Sequence, residues 1–143
     1  MRVCAVDLKG NEANLVLLDS ENDLFSVPDC RAKKINVPSP ESQESIQHFH
    51  RTMSKLVEDY QVEKIVIRER QTKGKFAGSS AGFKMEAVLQ LIDGVEAEVL
   101  PNNIMKQTLK RHPIDVNLKE LGLKQFQEHA FLTACAYCNQ DKK

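Results

Sequence analysis

Along the chain, short β-branched apolar runs alternate with longer segments of helical spacing. Val3-Cys4-Ala5-Val6 is small and apolar and runs through Asp7 and Leu8 into the turn Lys9-Gly10-Asn11, which predicts a strand over 2–8. Glu12 to Leu18 contains the apolar run Leu15–Leu18 and predicts a second strand, paired with the first as a hairpin. Asp19-Ser20-Glu21-Asn22-Asp23 reads as a polar turn, and a third strand falls within 24–37, interrupted by Pro28-Asp29. Ser39-Pro40-Glu41 predicts a helix start, with Ser as the cap, Pro at the first helical position and Glu favoured by the helix dipole. Ile46, Phe49, Met53, Leu56, Val57 and Tyr60 then form one helical face.

The run Lys64-Ile65-Val66-Ile67-Arg68-Glu69 predicts a fourth strand, parallel to its neighbour and buried on both faces. A polar loop follows, and Ser79 or Ser80 caps a second helix whose face is Ala81, Met85, Val88, Leu89 and Ile92, ending at Asp93-Gly94. Val95–Leu100 predicts a fifth strand. Pro101-Asn102-Asn103 opens a short helix that His112-Pro113 ends. A last helix runs from about Lys124 to Asn139, and from Ala130 to Cys138 it is apolar or small on nearly every side, which predicts burial. The order β-β-β-α-β-α-β-α-α describes an α/β fold. It has a five-stranded mixed sheet, a three-strand antiparallel meander plus parallel strands, with helices on both faces.

The 143 residues suit a single domain over 1–143, with no repeat, linker or low-complexity tract. No apolar run approaches the roughly 18 residues of a membrane span. An acid at position 7 comes too early for a signal-peptide core, so the expectation is a cytoplasmic protein. Such a chain keeps its cysteines, at 4, 30, 135 and 138, reduced. Cys135 and Cys138 form a C-x-x-C, but a zinc ribbon needs a second such pair, and a redox motif sits at a helix N-terminus rather than near its end. They are expected to be buried structural thiols. Twenty basic and twenty acidic residues cancel, but not locally. Residues 1–29 carry six acids and two bases, 85–98 carry four acids and no base, and 64–84 carry six bases and one acid. This excludes a uniformly basic coat and leaves room for a basic lip beside an acidic cleft.

Asp7 closes the first strand and Glu69 the fourth. If these strands are adjacent and parallel, both acids emerge where open α/β sheets bind ligands, outside the carboxyl ends of the strands. A divalent cation relieves the repulsion between two such acids, and Mg²⁺ takes one or two carboxylates plus water and phosphate oxygens. Two ions can activate a water and stabilise a leaving oxygen in phosphodiester cleavage. Solvated strand-end charges are the plain structural alternative. Arg70, Lys73 and Lys75, with glycines at 74, 78 and 82, suit a phosphate backbone, and Phe76 suits stacking on a base, against the alternative of a solvated loop. The spacing does not match a Walker A loop. His48 and His50 point to different helix faces and are expected at the surface.

The order of elements resembles the ribonuclease H-like superfold, and more narrowly the RuvC-type Holliday-junction resolvases. Val3-Cys4-Ala5-Val6-Asp7 is similar to that family's first strand with its metal-binding Asp, and Ile65-Val66-Ile67-Arg68-Glu69 to the strand bearing its second acid. Ser79-Ser80-Ala81-Gly82-Phe83-Lys84-Met85-Glu86-Ala87 resembles the start of its second long helix. Leu100-Pro101-Asn102-Asn103-Ile104-Met105-Lys106 resembles its strand-Pro-helix step, where the family has a basic residue. His129-Ala130-Phe131-Leu132-Thr133-Ala134 looks like its closing helix. The chain also resembles a small bacterial family of this superfold known mainly as a domain of unknown function.

The resemblance implies a divalent-metal-dependent nuclease. Asp7 and Glu69 would hold Mg²⁺ or Mn²⁺, Glu128 or His129 would complete the shell, and Arg70, Lys73, Lys75 and Lys106 would contact nucleic-acid phosphates. It also implies a homodimer, although no segment announces an interface. The chain departs from the family at the last helix, where His129 stands at the place of the final Asp and Glu128 is the nearest acid. One residue is about 100° around a helix, so Glu128 and His129 cannot face one site equally well. Asp115 is a more distant candidate. That departure keeps open a second expectation, a catalytically degenerate binding module for nucleic acid or protein. A third is a fragment of the actin-like nucleotide-binding type, whose phosphate loop Asp7-Leu8-Lys9-Gly10 resembles.

Overall fold

The computed structural model describes residues 1–70 and 79–140. The strands are β1 (Arg2–Lys9), β2 (Glu12–Glu21), β3 (Leu24–Ser26), β4 (Lys34–Asn36), β5 (Lys64–Arg68) and β6 (Glu96–Leu100). The helices are α1 (Gln43–Asp59), α2 (Ser80–Gln90), α3 (Asn102–Arg111) and α4 (Glu128–Asn139), with two 3₁₀ turns, Leu118–Leu121 and Gln125–Gln127, leading into α4. The sheet runs β3-β2-β1-β5-β6, and β4 also pairs with β2. β2 is antiparallel to β1, β3 and β4, while β5 is parallel to both β1 and β6.

The sheet therefore has six strands where five were expected, and the order becomes β-β-β-β-α-β-α-β-α-α. The predicted third strand is two short pieces on one edge of β2. β3 pairs with Asp19–Glu21 and β4 with Glu12–Asn14. Pro28 has no N–H to give a ladder, so the chain leaves the sheet between them. In that gap the Leu15 N–H donates to the Lys33 carbonyl at 3.0 Å, and the Leu15 carbonyl accepts from Gln127 Nε2 at 2.8 Å.

Several boundaries also move; the last helix, expected from about Lys124, begins at Glu128 after a 3₁₀ turn, and α2 ends at Gln90 rather than at Asp93-Gly94. β2 continues through the expected turn to Glu21, because Asp19 lies opposite Arg2 and pairs with it. The turn shrinks to Asn22-Asp23, both at positive φ, a conformation short polar side chains tolerate. α1 begins at Gln43, capped by Ser42 rather than Ser39. The Ser42 N–H donates to the Ser39 carbonyl at 2.8 Å, so residues 39–42 form a turn before the helix. Gly10, at φ +60, occupies the first turn position of the β1–β2 hairpin, where an L side chain is strained.

Strand alternation divides the core into two faces. Cys4, Val6 and Leu8 of β1 join Ile65 and Ile67 of β5 under α1 and α2, with Phe49, Met53, Met85 and Leu89 buried above them. Val3 and Ala5 join Val66 and Leu100 under α3 and α4, with Met105, Ala130, Phe131 and Ala134 above. The α2 face Ala81, Met85, Val88, Leu89 and Ile92 is buried as its spacing predicts. Cys4, Cys30 and Cys135 are buried and Cys138 is half-buried, and burial pushes the Cys135 thiol up to about 12. Among the described residues no helix is long and apolar enough to cross a membrane.

Candidate functional site at the end of the central strands

On the α4 side of the sheet the alternation Val3, Ala5 turns polar at Asp7. One step beyond the parallel pair Val6–Ile67, Asp7 stands beside Arg68, and across the hairpin it faces Asn14. Val16 and Val66, two residues back on each flanking strand, belong to the core on the same face, so Asp7, Asn14 and Arg68 form a polar row where that core ends.

The row is buried but incompletely satisfied. Asp7 is 4% exposed, and its Oδ1 accepts from Arg68 Nη1 at 3.2 Å. Asn14 is 3% exposed, and among the described residues its Oδ1 has no hydrogen-bond partner. Arg68 Nε is also buried without one. Leaving such a group unpaired costs about 1–3 kcal/mol.

Asp7 and Asn14 lie in a cleft of about 770 Å³. Its other walls include Lys9, Glu12, Lys34, Phe126 and His129. Lys34 reaches Glu12 at 3.4 Å and lies over the exposed Phe126 ring, 4.4 Å from its centre. Gln127 holds the roof down. It is 2% exposed, and besides its bond to Leu15 its Oε1 accepts from the Lys124 N–H at 2.8 Å. That anchor sets the start of α4, and His129 two residues later, over the strand ends.

The other expected ligands stand elsewhere. Glu69 lies one residue past β5, beside α3. Its N–H donates to the Leu100 carbonyl at 3.2 Å, and its Oε1 accepts from the Asn102 N–H at 3.0 Å. The N-cap residue of α3 is Pro101, whose side chain offers no capping bond, so Glu69 supplies the carboxylate for that helix start. Glu128 accepts from Gln125 Nε2 at 2.7 Å and lines a different cleft, with Asn117–Lys119 and Gly122–Gln125. His129 alone of the pair reaches the Asp7 cleft, as the 100° step between them requires. Asp115 is exposed in the loop after α3. Among the described residues no three His, Cys, Asp or Glu side chains gather closely enough to hold a metal ion.

Of the expected phosphate ligands, Lys106 is exposed on α3, and Lys73 and Lys75, with Gly74, Phe76 and Gly78, lie outside the described residues. Arg70 packs on α2. Its side chain is 7% exposed, its Nη2 meets Glu86 Oε1 at 3.3 Å, and its guanidinium lies 3.7 Å from the centre of the Phe83 ring. Gly82 makes this possible, since a Cβ there would stand 2.6 Å from Arg70 Nη1. His48 is exposed and His50 half-buried. Sequence reasoning passed over Asn14 and Lys34, counted Arg68 only among the basic residues of 64–84, and placed Phe126 only as the residue one turn before His129. Parity was the available signal: Asn14 and Arg68 follow Val16 and Val66 by two positions on the face that carries Asp7.

A family model described as "Protein of unknown function (DUF3010)" matches residues 1–137. No curated protein matches the chain. Among solved structures, that of RuvC from Thermus thermophilus is similar with a TM-score of 0.67 and 18% identity, over 95% of this chain and 92% of that one. The same organism's RuvC in complex with a Holliday junction substrate gives 0.69 and 14%, over 97% and 93%. The fowlpox virus resolvase in complex with Holliday junction DNA gives 0.58 and 12%, over 100% of both chains. These likenesses are of fold: the chain shares the mixed α/β architecture of these ribonuclease H-like proteins.

Proposed function

The chain belongs to the DUF3010 family, and we propose that it binds nucleic acid on a resolvase-type fold without cleaving it. One observation carries this reading: the side chain that meets Asp7 across the β1–β5 pair is the guanidinium of Arg68, not a second carboxylate. A two-metal phosphodiesterase needs acids that share cations. Here Glu69 is engaged with the start of α3, Glu128 lines another cleft, and Asp7 is met by an internal cation. The residues present therefore do not fit such a centre.

Two features support nucleic acid as the partner. The solved resolvases that share the fold include two held on Holliday-junction DNA. The segment 64–84 is strongly basic, and Lys106 stands exposed on α3. Contacts of this kind position a phosphate backbone without reading sequence and weaken steeply with salt.

Fluorescence anisotropy with labelled four-way junctions and single strands tests the reading, run in EDTA and in Mg²⁺ or Mn²⁺, with the products examined on denaturing gels. The expected result is binding that falls with salt, is unaffected by chelation and by Asp7→Asn, and leaves the strands intact. Mn²⁺-dependent nicking that Asp7→Asn abolishes would establish the nuclease reading instead.

A further inference from the structure

We infer that Phe126 and His129 form a platform on which one unpaired nucleobase stacks, with Lys34 and Lys9 beside it to take the phosphate of that nucleotide. This rests on the nucleic-acid reading above and deepens it, since backbone charge alone makes no contact to a base.

The platform is built by the segment that leads into α4. Gln127 is its fixed point, buried and bonded to the Leu15 carbonyl and the Lys124 N–H. With Gln127 turned inward, its neighbour Phe126 is turned out and is 39% exposed. His129 follows three residues later, a spacing that sets two side chains on one side of a helical segment. Both rings line the cleft of about 770 Å³.

Among the described residues two phenylalanine rings are exposed, and they differ in what covers them. Phe83 carries the guanidinium of Arg70, a nearly buried side chain tied to Glu86, so that ring face is closed. Phe126 carries only the Lys34 ammonium, 4.4 Å from the ring centre, on a side chain that is 33% exposed. The other tie of Lys34 is its 3.4 Å pair with Glu12, and solvent-exposed contacts of both kinds are weak. A base can therefore take the ring face, and the displaced ammonium carries its charge to the phosphate that arrives with the base. Lys9 is exposed on the same cleft. Bases stack on phenyl and imidazole rings whatever their identity, because each has a π face, so the platform holds a base without reading sequence. A paired base is covered by its neighbours in the duplex, which leaves an unpaired one as the ligand.

The chain contains no tryptophan, so Phe126→Trp sets a single indole at the platform. Anisotropy is measured with a labelled single strand of DNA and with a strand of equal length whose sugars carry no bases. Phe126→Ala is expected to weaken the base-bearing strand about tenfold and to leave the abasic strand unchanged. Phe126→Trp is expected to keep the affinity of wild type, with its emission quenched by the base-bearing strand and not by the abasic one. Phe126→Ala protein that holds the base-bearing strand as tightly as wild type would overturn the inference, and so would equal quenching by both strands.

Failure of the functional reading looks different: neither strand would bind wild-type protein. Adenosine 5′-monophosphate then decides. Quenching of the Phe126→Trp emission by millimolar nucleotide supports the platform, and unchanged emission overturns it.

Discussion

Strand β1 carries one arginine–aspartate pair near each end, and the two are built differently. At the start, Arg2 meets Asp19 with two parallel bonds, Nε to Oδ1 at 2.7 Å and Nη2 to Oδ2 at 3.0 Å, and its Nη1 donates to the Tyr60 carbonyl at 2.8 Å. Toward the far end, Asp7 meets Arg68 with one longer contact, and an orphaned acceptor and an orphaned donor flank the pair. The first pair ties β1 to β2 and to the end of α1, and each of its groups is used. The second lies deeper on the carboxylate side, under the roof of a cleft, and is worse satisfied. Burial alone therefore does not separate a structural pair from a site. These two pairs differ in the share of their polar atoms left without partners.

The comparison can be broken in three ways, taken from the largest expected effect down. Gln127→Ala removes the anchor of the roof over the Asp7 end and touches neither pair. It strips the Leu15 carbonyl of its partner and leaves a cavity, so a loss of about 2–4 kcal/mol in urea unfolding is expected. A loss below about 0.5 kcal/mol, the range of an ordinary surface substitution, would mean that the start of α4 is held by other contacts.

Asp19→Asn is next, at about 1–2 kcal/mol, because it leaves a half-buried guanidinium with weaker acceptors. The hydrogen bond from Arg2 holds the Asp19 carboxyl below the usual carboxylate range. A carboxyl whose pKa is lower folded than unfolded contributes stability that is fully present above the unfolded value, about 3.9, and is lost as pH falls through the folded value. Wild type should accordingly lose part of its advantage over Asp19→Asn as urea midpoints are followed downward from pH 5. A constant difference across that range would assign the effect to packing.

Asp7→Asn comes last, with a Tm expected to stay level or rise. Removing one partner of a buried ion pair is costly when the other charge is trapped, but Arg68 is partly exposed and can turn to water. A fall as large as that of Asp19→Asn would make the two pairs equivalent and remove the basis of the comparison.

Much of this architecture was legible in the sequence, because its signals are periodic. The β-branched runs at 3–6 and 65–67, the α2 face and the apolar stretch of α4 are set by alternation or helical spacing, and they place Asp7 at a strand end without further information. Three features needed the folded chain. The split of the third strand depends on Gln127, 112 residues from Leu15 in sequence, filling the gap in the edge of β2. The fate of Glu69 depends on an uncapped helix start at Asn102, 33 residues on. The meeting of Arg68 with Asp7 depends on the β1–β5 register, and a shift of one residue would have set Glu69 there instead. Local chemistry named the acids, and pairing between distant strands decided which of them meet.

Diffraction from crystals soaked in millimolar Mn²⁺, with anomalous data collected at the manganese edge, tests the central claim most directly. The account predicts no anomalous peak at Asp7 and an Arg68 guanidinium within hydrogen-bond distance of its carboxylate. Two peaks roughly 3.5–4 Å apart, shared by Asp7 and Glu69 with Arg68 turned away, would be the two-metal arrangement and would contradict it.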